Sequence, residues 1–208
     1  ITTVCYRLNN KTTYALEGSI FTAGAAVQWL RDKIKLIKDV HETEKILKSK
    51  KNHESIYIVP AFTGLGAPYW IPDSRGLITG LTRNSDWKSL VRATIESVAY
   101  QTFDLLESMR KDGLRPTNVK VDGGMASNNW FTQFLSDILK IKIIRSKANE
   151  ATALGAAYIA GYQIGVFRSL EDTKKNWVKD RDFMPKFSKS HRNKLLQGWK
   201  QAIKKTLA

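Results

Sequence analysis

The residues best suited to touching a ligand are the two glycines of Asp122-Gly123-Gly124. A short predicted strand, Val119-Lys120-Val121, precedes them, and an amphipathic helix is predicted from about Ser127. Glycine tolerates positive φ and lets a ligand approach the backbone, and the first turn of a helix offers N–H groups that lack internal partners. Asp-Gly is also common in hairpin turns, so these residues alone favour a ligand site and a plain turn about equally.

A second group of small residues, Thr22 to Gln28, stands at the start of another predicted helix. Taken alone, this segment favours close packing of two elements over a binding site. Gly64-Leu65-Gly66 has the spacing of the first half of a dinucleotide loop, but it lacks the third glycine and lies among prolines. The sequence has no P-loop pattern either, so neither of these phosphate-binding motifs is predicted.

No metal site and no catalytic residue are predicted. His41, His53 and His191 lie in polar stretches without a cysteine or carboxylate at ligand spacing, which argues against zinc. Asp122 is expected to organise its turn, because nothing nearby supplies a partner for proton transfer. Cys5 is expected to fill core space. As the single cysteine it forms no internal disulfide, which favours a reducing compartment and, by default, the cytoplasm.

The composition is ordinary for a globular domain, since 42% of the 208 residues are hydrophobic and 25% are charged. No apolar run approaches the roughly 20 residues that cross a bilayer, so we expect no membrane partner. The chain starts with Ile-Thr-Thr-Val-Cys, without an initiator Met and without the layout of a signal peptide. This start leads us to expect a fragment of a longer chain.

The net charge is +15, and most of the excess lies in residues 31–51 and 168–208. Both stretches are rich in lysine and are predicted to be helical. Helix faces exposed to solvent explain such a charge, and no motif that reads nucleic acid accompanies it. Nucleic acid is therefore not expected as a partner. A basic nucleic-acid binder stays open as an alternative, and it predicts that retention on DNA falls steeply with salt concentration.

The first half of the chain predicts a hairpin followed by helices and short strands. Thr2–Tyr6 and Thr12–Leu16 favour strands, and the asparagines between them favour a turn. The elements that follow are a helix over Gly18–Ile37, a strand over Ile56–Val59, an ordered loop over residues 60–76, a strand over 76–82, and a long helix that begins after Ser85 or Asp86 and ends near Lys111.

In the second half, strands and helices alternate. The strand Val119–Val121 and the helix from Ser127 are followed by a strand over Ile141–Ile144 and a helix over Glu150–Ile164. The small residues of the last helix are expected to allow close backbone approach. This alternation predicts an α/β layer fold with a partly parallel sheet. We predict one domain over residues 1–208, with a basic helical tail at about 168–208.

Taken together and in order, these motifs resemble blocks of the glycerol kinases, in the FGGY carbohydrate kinase family. The likeness covers nearly the whole chain and ends near Gly198-Trp199-Lys200. The blocks that carry it are Tyr14–Gly18, Ala23-Gly24, Gln28–Asp32, Val59–Trp70, Gly80–Arg83, Arg92–Ser97, Tyr100–Thr102, Val121–Gly124, Asn128-Asn129, Gln133-Phe134, Ser136–Leu139 and Thr152–Tyr158. It implies the C-terminal domain of that family, an actin-like (ribonuclease H-like) α/β fold with a mixed sheet flanked by helices.

The resemblance also implies a nucleotide site. In that family the second domain contributes most of the nucleotide contacts, and the first domain binds the polyol and supplies the catalytic aspartate. By motif match, Gly24 and Gln28 lie along the nucleotide, with Val27 beside the base. The turn after Val121 holds the adenosine end rather than phosphate, and its implied contacts are Gly124, Met125 and Asn128.

The family reaction, transfer of a phosphoryl group from ATP to glycerol with Mg²⁺, needs parts that this sequence does not match. No acidic residue falls in the catalytic-aspartate motif, so catalysis is expected only with the N-terminal half, which also binds glycerol. An exposed interdomain face would favour self-association, so a homo-oligomer is one expected state. Another FGGY sugar kinase half, and a non-catalytic remnant or binding module, stay open as alternatives.

Overall fold

The chain begins with an antiparallel hairpin of β1 (Thr2–Leu8) and β2 (Lys11–Leu16), as predicted. The structure is a computed structural model that describes residues 1–49 and 55–208. Between the strands, Asn9 and Asn10 have φ of 48° and 61°, the left-handed geometry of a two-residue hairpin turn. Cys5 lies where the pairing register of β1 shifts, and its side chain is exposed. The prediction that Cys5 fills core space is therefore wrong.

Two short helices follow the hairpin, where the sequence predicted one long helix to Ile37 and a lysine-rich helical stretch. The first, α1 (Gly24–Asp32), ends early, and Lys35 then adopts a φ of 58°. Ile37 is nevertheless buried, so the apolar spacing that extended the predicted helix reflects core packing after the chain has turned. The second helix, α2 (Glu42–Ser49), lies in the lysine-rich stretch. His53 lies outside the described residues.

The predicted strands at residues 56–59 and 76–82 form a small antiparallel sheet of β3 (Tyr57–Val59) and β4 (Leu77–Thr79). The loop between them, residues 60–76, is tied to the helices by aromatic side chains. The ring of Phe62 packs on that of Trp29, with 4.9 Å between centroids, and Tyr69 donates a hydrogen bond to Asp104 at 2.8 Å. These contacts confirm an ordered loop.

The centre of the core is α3 (Trp87–Lys111), which begins after Asp86 as predicted. Asp86 accepts a hydrogen bond from the Ser89 backbone N–H at 2.8 Å, which closes a capping box. Tyr100 of α3 is fully buried and stacks on Trp199, with ring centroids 5.3 Å apart. Trp199 belongs to α7 (Lys189–Thr206), so the last helix packs against the middle of the core.

The predicted strand-helix-strand unit is present as β5 (Asn118–Val121), α4 (Asn129–Leu139) and β6 (Lys142–Ser146). β5 and β6 pair in parallel, which confirms the partly parallel sheet. The apolar stripe of α4 lies in the core, where Phe134, Ile138 and Leu139 are buried. The connection between β5 and α4 is one turn of 3-10 helix, Gly124–Ser127.

The tail differs from the helical tail predicted at 168–208. It contains α6 (Leu170–Lys174) and α7, but between them runs a strand, β7 (Lys179–Phe183), which pairs antiparallel with β6. The three-stranded sheet has the order β5-β6-β7. Four of the five residues of β7 are charged, a composition typical of an edge strand. Because the segment lacks alternating apolar residues, its sequence did not predict a strand.

The helix α5 (Ala151–Gln163) is apolar but lies mostly at the surface, and Gly161 is its one buried residue. Among the described residues, no atom lies within 4 Å of a Cβ placed on Gly155, so the close approach predicted from the small residues of α5 is absent at that point. The Asp122 carboxylate accepts a hydrogen bond from the Ala151 N–H at 2.8 Å, so it caps this helix from another element. Within residues 1–49 and 55–208, no helix combines the length and the apolarity needed to traverse a bilayer.

Candidate functional site

A cavity of about 360 Å³ lies between α1, α2, α3, the 3-10 turn and α4. The residues that the sequence proposed for nucleotide contact all line it, although α1 and the turn are far apart in the chain. They are Gly24, Val27, Gln28, Gly124, Met125 and Asn128. The remaining lining residues are Val40, His41, Thr43, Glu44, Ile95, Ser127 and Phe131.

One wall of the cavity is the first turn and a half of α1. Gly24, Val27 and Gln28 are spaced three and four residues apart, which places them on one face of the helix. Val27 is buried, whereas Gln28 is exposed and lies at the opening. A Cβ placed on Gly24 would have no atom within 4 Å, so the space beside this backbone is open to a ligand.

A second wall is the glycine turn after β5. Gly123 has a φ of 86°, a backbone geometry that side chains disfavour and that turns the chain from the sheet toward α4. Gly124 lies beside open space, since a Cβ there would also meet nothing within 4 Å. Asn128 ends the turn and caps α4, because its Oδ1 accepts the Phe131 N–H at 3.0 Å.

Arg145 on β6 holds this turn from below. Its guanidinium donates to the carbonyl oxygens of Ala126 at 2.9 Å and Ser127 at 3.2 Å, and to Asn129 Oδ1 at 3.1 Å. Asp180 on β7 accepts from Arg145 Nε at 2.6 Å. A planar guanidinium supplies several donors at fixed angles, so one side chain fixes the path of the turn.

The third wall is α2, which the sequence did not place at the site. Thr43 is buried and accepts a hydrogen bond from Asn128 Nδ2 at 3.1 Å. Glu44 accepts from the backbone N–H and the side-chain amide of Asn129, both at 3.2 Å. No motif marked α2, because Thr43 and Glu44 act through contacts with residues 85 positions away.

Glu44 is held in its charged form. Burial raises the pKa of this carboxyl, but donation from Lys48 and from Asn129 outweighs burial, and the net pKa lies below its usual value. The Lys48 ammonium is 2.5 Å from Glu44 Oε1. The charged Glu44 therefore accepts two hydrogen bonds that fasten α2 to the start of α4.

The floor of the cavity is apolar. Ile95 of α3 and Phe131 of α4 are both buried, and they line the cavity together with the glycines and the amide side chains. An apolar cavity with a few polar groups at fixed positions is typical of sites for small organic molecules. Within residues 1–49 and 55–208, no three His, Cys, Asp or Glu side chains are grouped so that they could hold a metal ion.

Residues 2–164 match the family model described as the FGGY family of carbohydrate kinases, C-terminal domain. The chain belongs to the FGGY family of carbohydrate kinases. This FGGY chain is 53% identical over 203 residues to a glycerol kinase of Alteromonas mediterranea and 49% identical over 207 residues to one of Coxiella burnetii. The alignments cover 98% and 100% of the chain but 41% of each relative, so the chain spans about two fifths of their length.

Solved structures agree with this assignment. Plasmodium falciparum glycerol kinase with ADP superposes with a TM-score of 0.89 at 41% identity, over 100% of this chain and 42% of that one. A xylulose kinase from Lactobacillus acidophilus superposes with a TM-score of 0.78 at 20% identity, over 96% of this chain and 40% of that one, which shows the fold alone. The expected actin-like α/β fold of the family's C-terminal domain is confirmed.

Proposed function

We propose that residues 1–208 form the nucleotide-binding C-terminal domain of a glycerol kinase, which transfers a phosphoryl group from ATP to glycerol and yields sn-glycerol 3-phosphate and ADP. One observation carries this proposal: the residues that the family motifs assign to the nucleotide come from α1 and from the glycine turn, and all line one cavity. The ADP named with the Plasmodium falciparum structure supports a nucleotide as the ligand.

The shape of the cavity suits an adenosine group. Its apolar floor favours a flat base, and the open backbone at Gly24 and Gly124 leaves room where side chains would intrude. We assign Val27 and Met125 to the base and the amides of Gln28 and Asn128 to polar atoms of the nucleotide. These groups bind and orient the nucleotide, and no residue of this chain is assigned a proton-transfer step.

We also propose that Mg²⁺ binds together with the nucleotide, coordinated by its phosphates. There it would neutralise charge during phosphoryl transfer. The described residues offer no cluster of three acidic, histidine or cysteine side chains for it. The donor groups of these described residues therefore do not fit a resident metal, and we derive no step through one.

Glycerol binding and the catalytic aspartate are assigned to the N-terminal portion of the relatives, which this chain does not span. Two surfaces here suit contact with that portion. The side chains of α5 are apolar and mostly exposed, and no residue of the hairpin is buried, with Tyr14 65% exposed and Val4 56% exposed. A two-stranded hairpin is marginally stable without further packing. We propose that the 208 residues alone do not phosphorylate glycerol.

The test is complementation in two steps. Calorimetry with ADP at millimolar concentration should detect binding to the 208-residue chain. The chain is then mixed with the separately expressed N-terminal portion of the Alteromonas mediterranea glycerol kinase, and ADP release is measured with glycerol or with xylulose. Activity that needs both parts and glycerol supports the proposal. Absence of ADP binding contradicts the assignment of the cavity as a nucleotide site. Glycerol phosphorylation by the 208-residue chain alone contradicts the proposal that catalysis needs the N-terminal portion.

A further inference from the structure

Asn128 uses both polar atoms of its side chain within the protein. Its Oδ1 accepts the Phe131 N–H at 3.0 Å, and its Nδ2 donates to Thr43 Oγ1 at 3.1 Å. The Thr43 hydroxyl donates its own hydrogen to the Val40 carbonyl oxygen at 2.6 Å. The chain of bonds therefore runs in one direction, from the Asn128 amide through the Thr43 hydroxyl to the Val40 carbonyl.

This direction fixes the orientation of the Asn128 amide. If the amide were rotated by 180°, its Nδ2 would face the Phe131 N–H, and two donors would oppose each other. The Thr43 hydroxyl already donates to Val40, so its lone pair is what it offers to Asn128. An amide nitrogen carries two hydrogens, and Thr43 accepts one of them. The other is the polar group that Asn128 retains for the cavity.

We infer that Thr43 is a positioning residue for nucleotide binding, which holds Asn128 as a hydrogen-bond donor to an acceptor atom of the adenosine group. The inference rests on the proposed function. Thr43 lines the same cavity as Asn128, and its side chain is buried, whereas the hydrogen bond between them is partly buried. Neither the family motifs nor the sequence pattern assigns Thr43 a role.

The Thr43 hydroxyl can be removed without detaching α2. Glu44 and Asn129 tie the same helix to the start of α4 through two further hydrogen bonds. Ile46 and Leu47 of α2 are buried in the core. Replacement of Thr43 by valine preserves the shape of the side chain and deletes the acceptor. The expected consequence is local: the Asn128 amide keeps its bond to the Phe131 N–H through Oδ1 but loses the partner that fixes Nδ2, in an otherwise intact cavity.

The experiment measures the dissociation constant for ADP by calorimetry on the 208-residue chain and three variants. Thr43→Val is expected to weaken ADP binding by about threefold to tenfold, the range for one net hydrogen bond. Thr43→Ser restores the hydroxyl and should bind within about twofold of the unmodified chain. Thr102→Val removes a comparable intrahelical hydroxyl bond, to Val98, outside the cavity and should leave ADP binding unchanged.

Thermal unfolding and an NMR signal separate positioning from simple loss of stability. In ¹⁵N spectra without nucleotide, the two Asn128 side-chain amide protons should move toward free-amide shifts in Thr43→Val and return in Thr43→Ser. Unchanged ADP affinity in Thr43→Val overturns the inference while the proposed function stands, as does a Thr43→Ser variant as weak as Thr43→Val. A chain that binds no ADP at all overturns the proposed function and the inference with it.

Discussion

Trp199 donates a hydrogen bond from its indole Nε1 to Asp104 Oδ2, with 2.6 Å between the two atoms. Tyr69 donates to the same oxygen at 2.8 Å, so one carboxylate joins α3, α7 and the loop of residues 60–76. Burial raises the pKa of Asp104, and donation from Trp199 and Tyr69 offsets this in part. The nearby Glu107 charge raises this pKa further.

Asp104→Asn is expected to remove a pH dependence of stability. Since the pKa of Asp104 is higher in the folded than in the unfolded chain, its stabilising contribution is complete below about pH 3.9, the unfolded pKa, and is lost as pH rises through the folded pKa. Asparagine accepts both hydrogen bonds without a charge. In thermal unfolding from pH 3.5 to 8, the unfolding temperature of the variant should rise relative to that of the unmodified chain as pH rises.

Asp104→Leu serves as the counterpart, because it removes the charge and the acceptor together. The donors of Trp199 and Tyr69 then lack a partner, and the free energy of unfolding should fall by about 1 to 3 kcal/mol for each donor left unpaired. A difference between Asp104→Asn and the unmodified chain that stays constant with pH would contradict the assigned pKa direction.

Gly124→Val is expected to abolish ADP binding while the fold persists. The added side chain would meet no protein atom within 4 Å of its Cβ and would therefore occupy ligand space. Gly124 does not have the positive φ of Gly123, so the backbone accepts a side chain there. Calorimetry measures the loss. Gly155→Val, which also points into open space but lies on α5 outside the cavity, is the control and should bind ADP normally.

Asn128→Asp separates the capping role of this residue from its donor role. Aspartate keeps an oxygen for the Phe131 N–H, so the start of α4 stays capped, but it loses the donor to Thr43 and adds a negative charge. We expect little loss of stability and at least about a tenfold loss of ADP affinity, more than one neutral hydrogen bond contributes. Ser188→Ala, which uncaps α7, should lower stability by about 1 kcal/mol and leave ADP affinity intact.

Much of the fold follows from local sequence signals. The turn at Asn9 and Asn10, the cap at Asp86 and the apolar stripe of α4 each depend on nearby residues, and the structure confirms the elements that they predicted. Where the sequence misled, a contact with a distant segment decides the structure. Ile37 is buried after α1 has ended, and the charged segment β7 is a strand because it pairs with β6.

The candidate site shows the same division. Glycine and amide residues on α1 and on the turn stand in short motifs, so the sequence proposed them, and they line one cavity. Thr43 and Glu44 could not be found in this way, because their partners Asn128 and Asn129 lie 85 residues further along the chain. Arg145 was not identified from the sequence for a similar reason. Its role depends on the carbonyl oxygens of Ala126 and Ser127, in a turn that only the folded chain brings next to it.

Arg145→Lys is expected to loosen the glycine turn. Lysine keeps the positive charge but has no planar guanidinium, so it cannot bond Asp180, Asn129 and the carbonyl of Ala126 together. Because Arg145 is largely buried, the free energy of unfolding should fall by about 1 to 3 kcal/mol, and ADP affinity should fall as Gly124 loses its fixed position. Chemical denaturation and calorimetry measure the two effects. Arg181→Lys changes an exposed neighbour on β7, and an equal loss in that control would contradict the role given to Arg145.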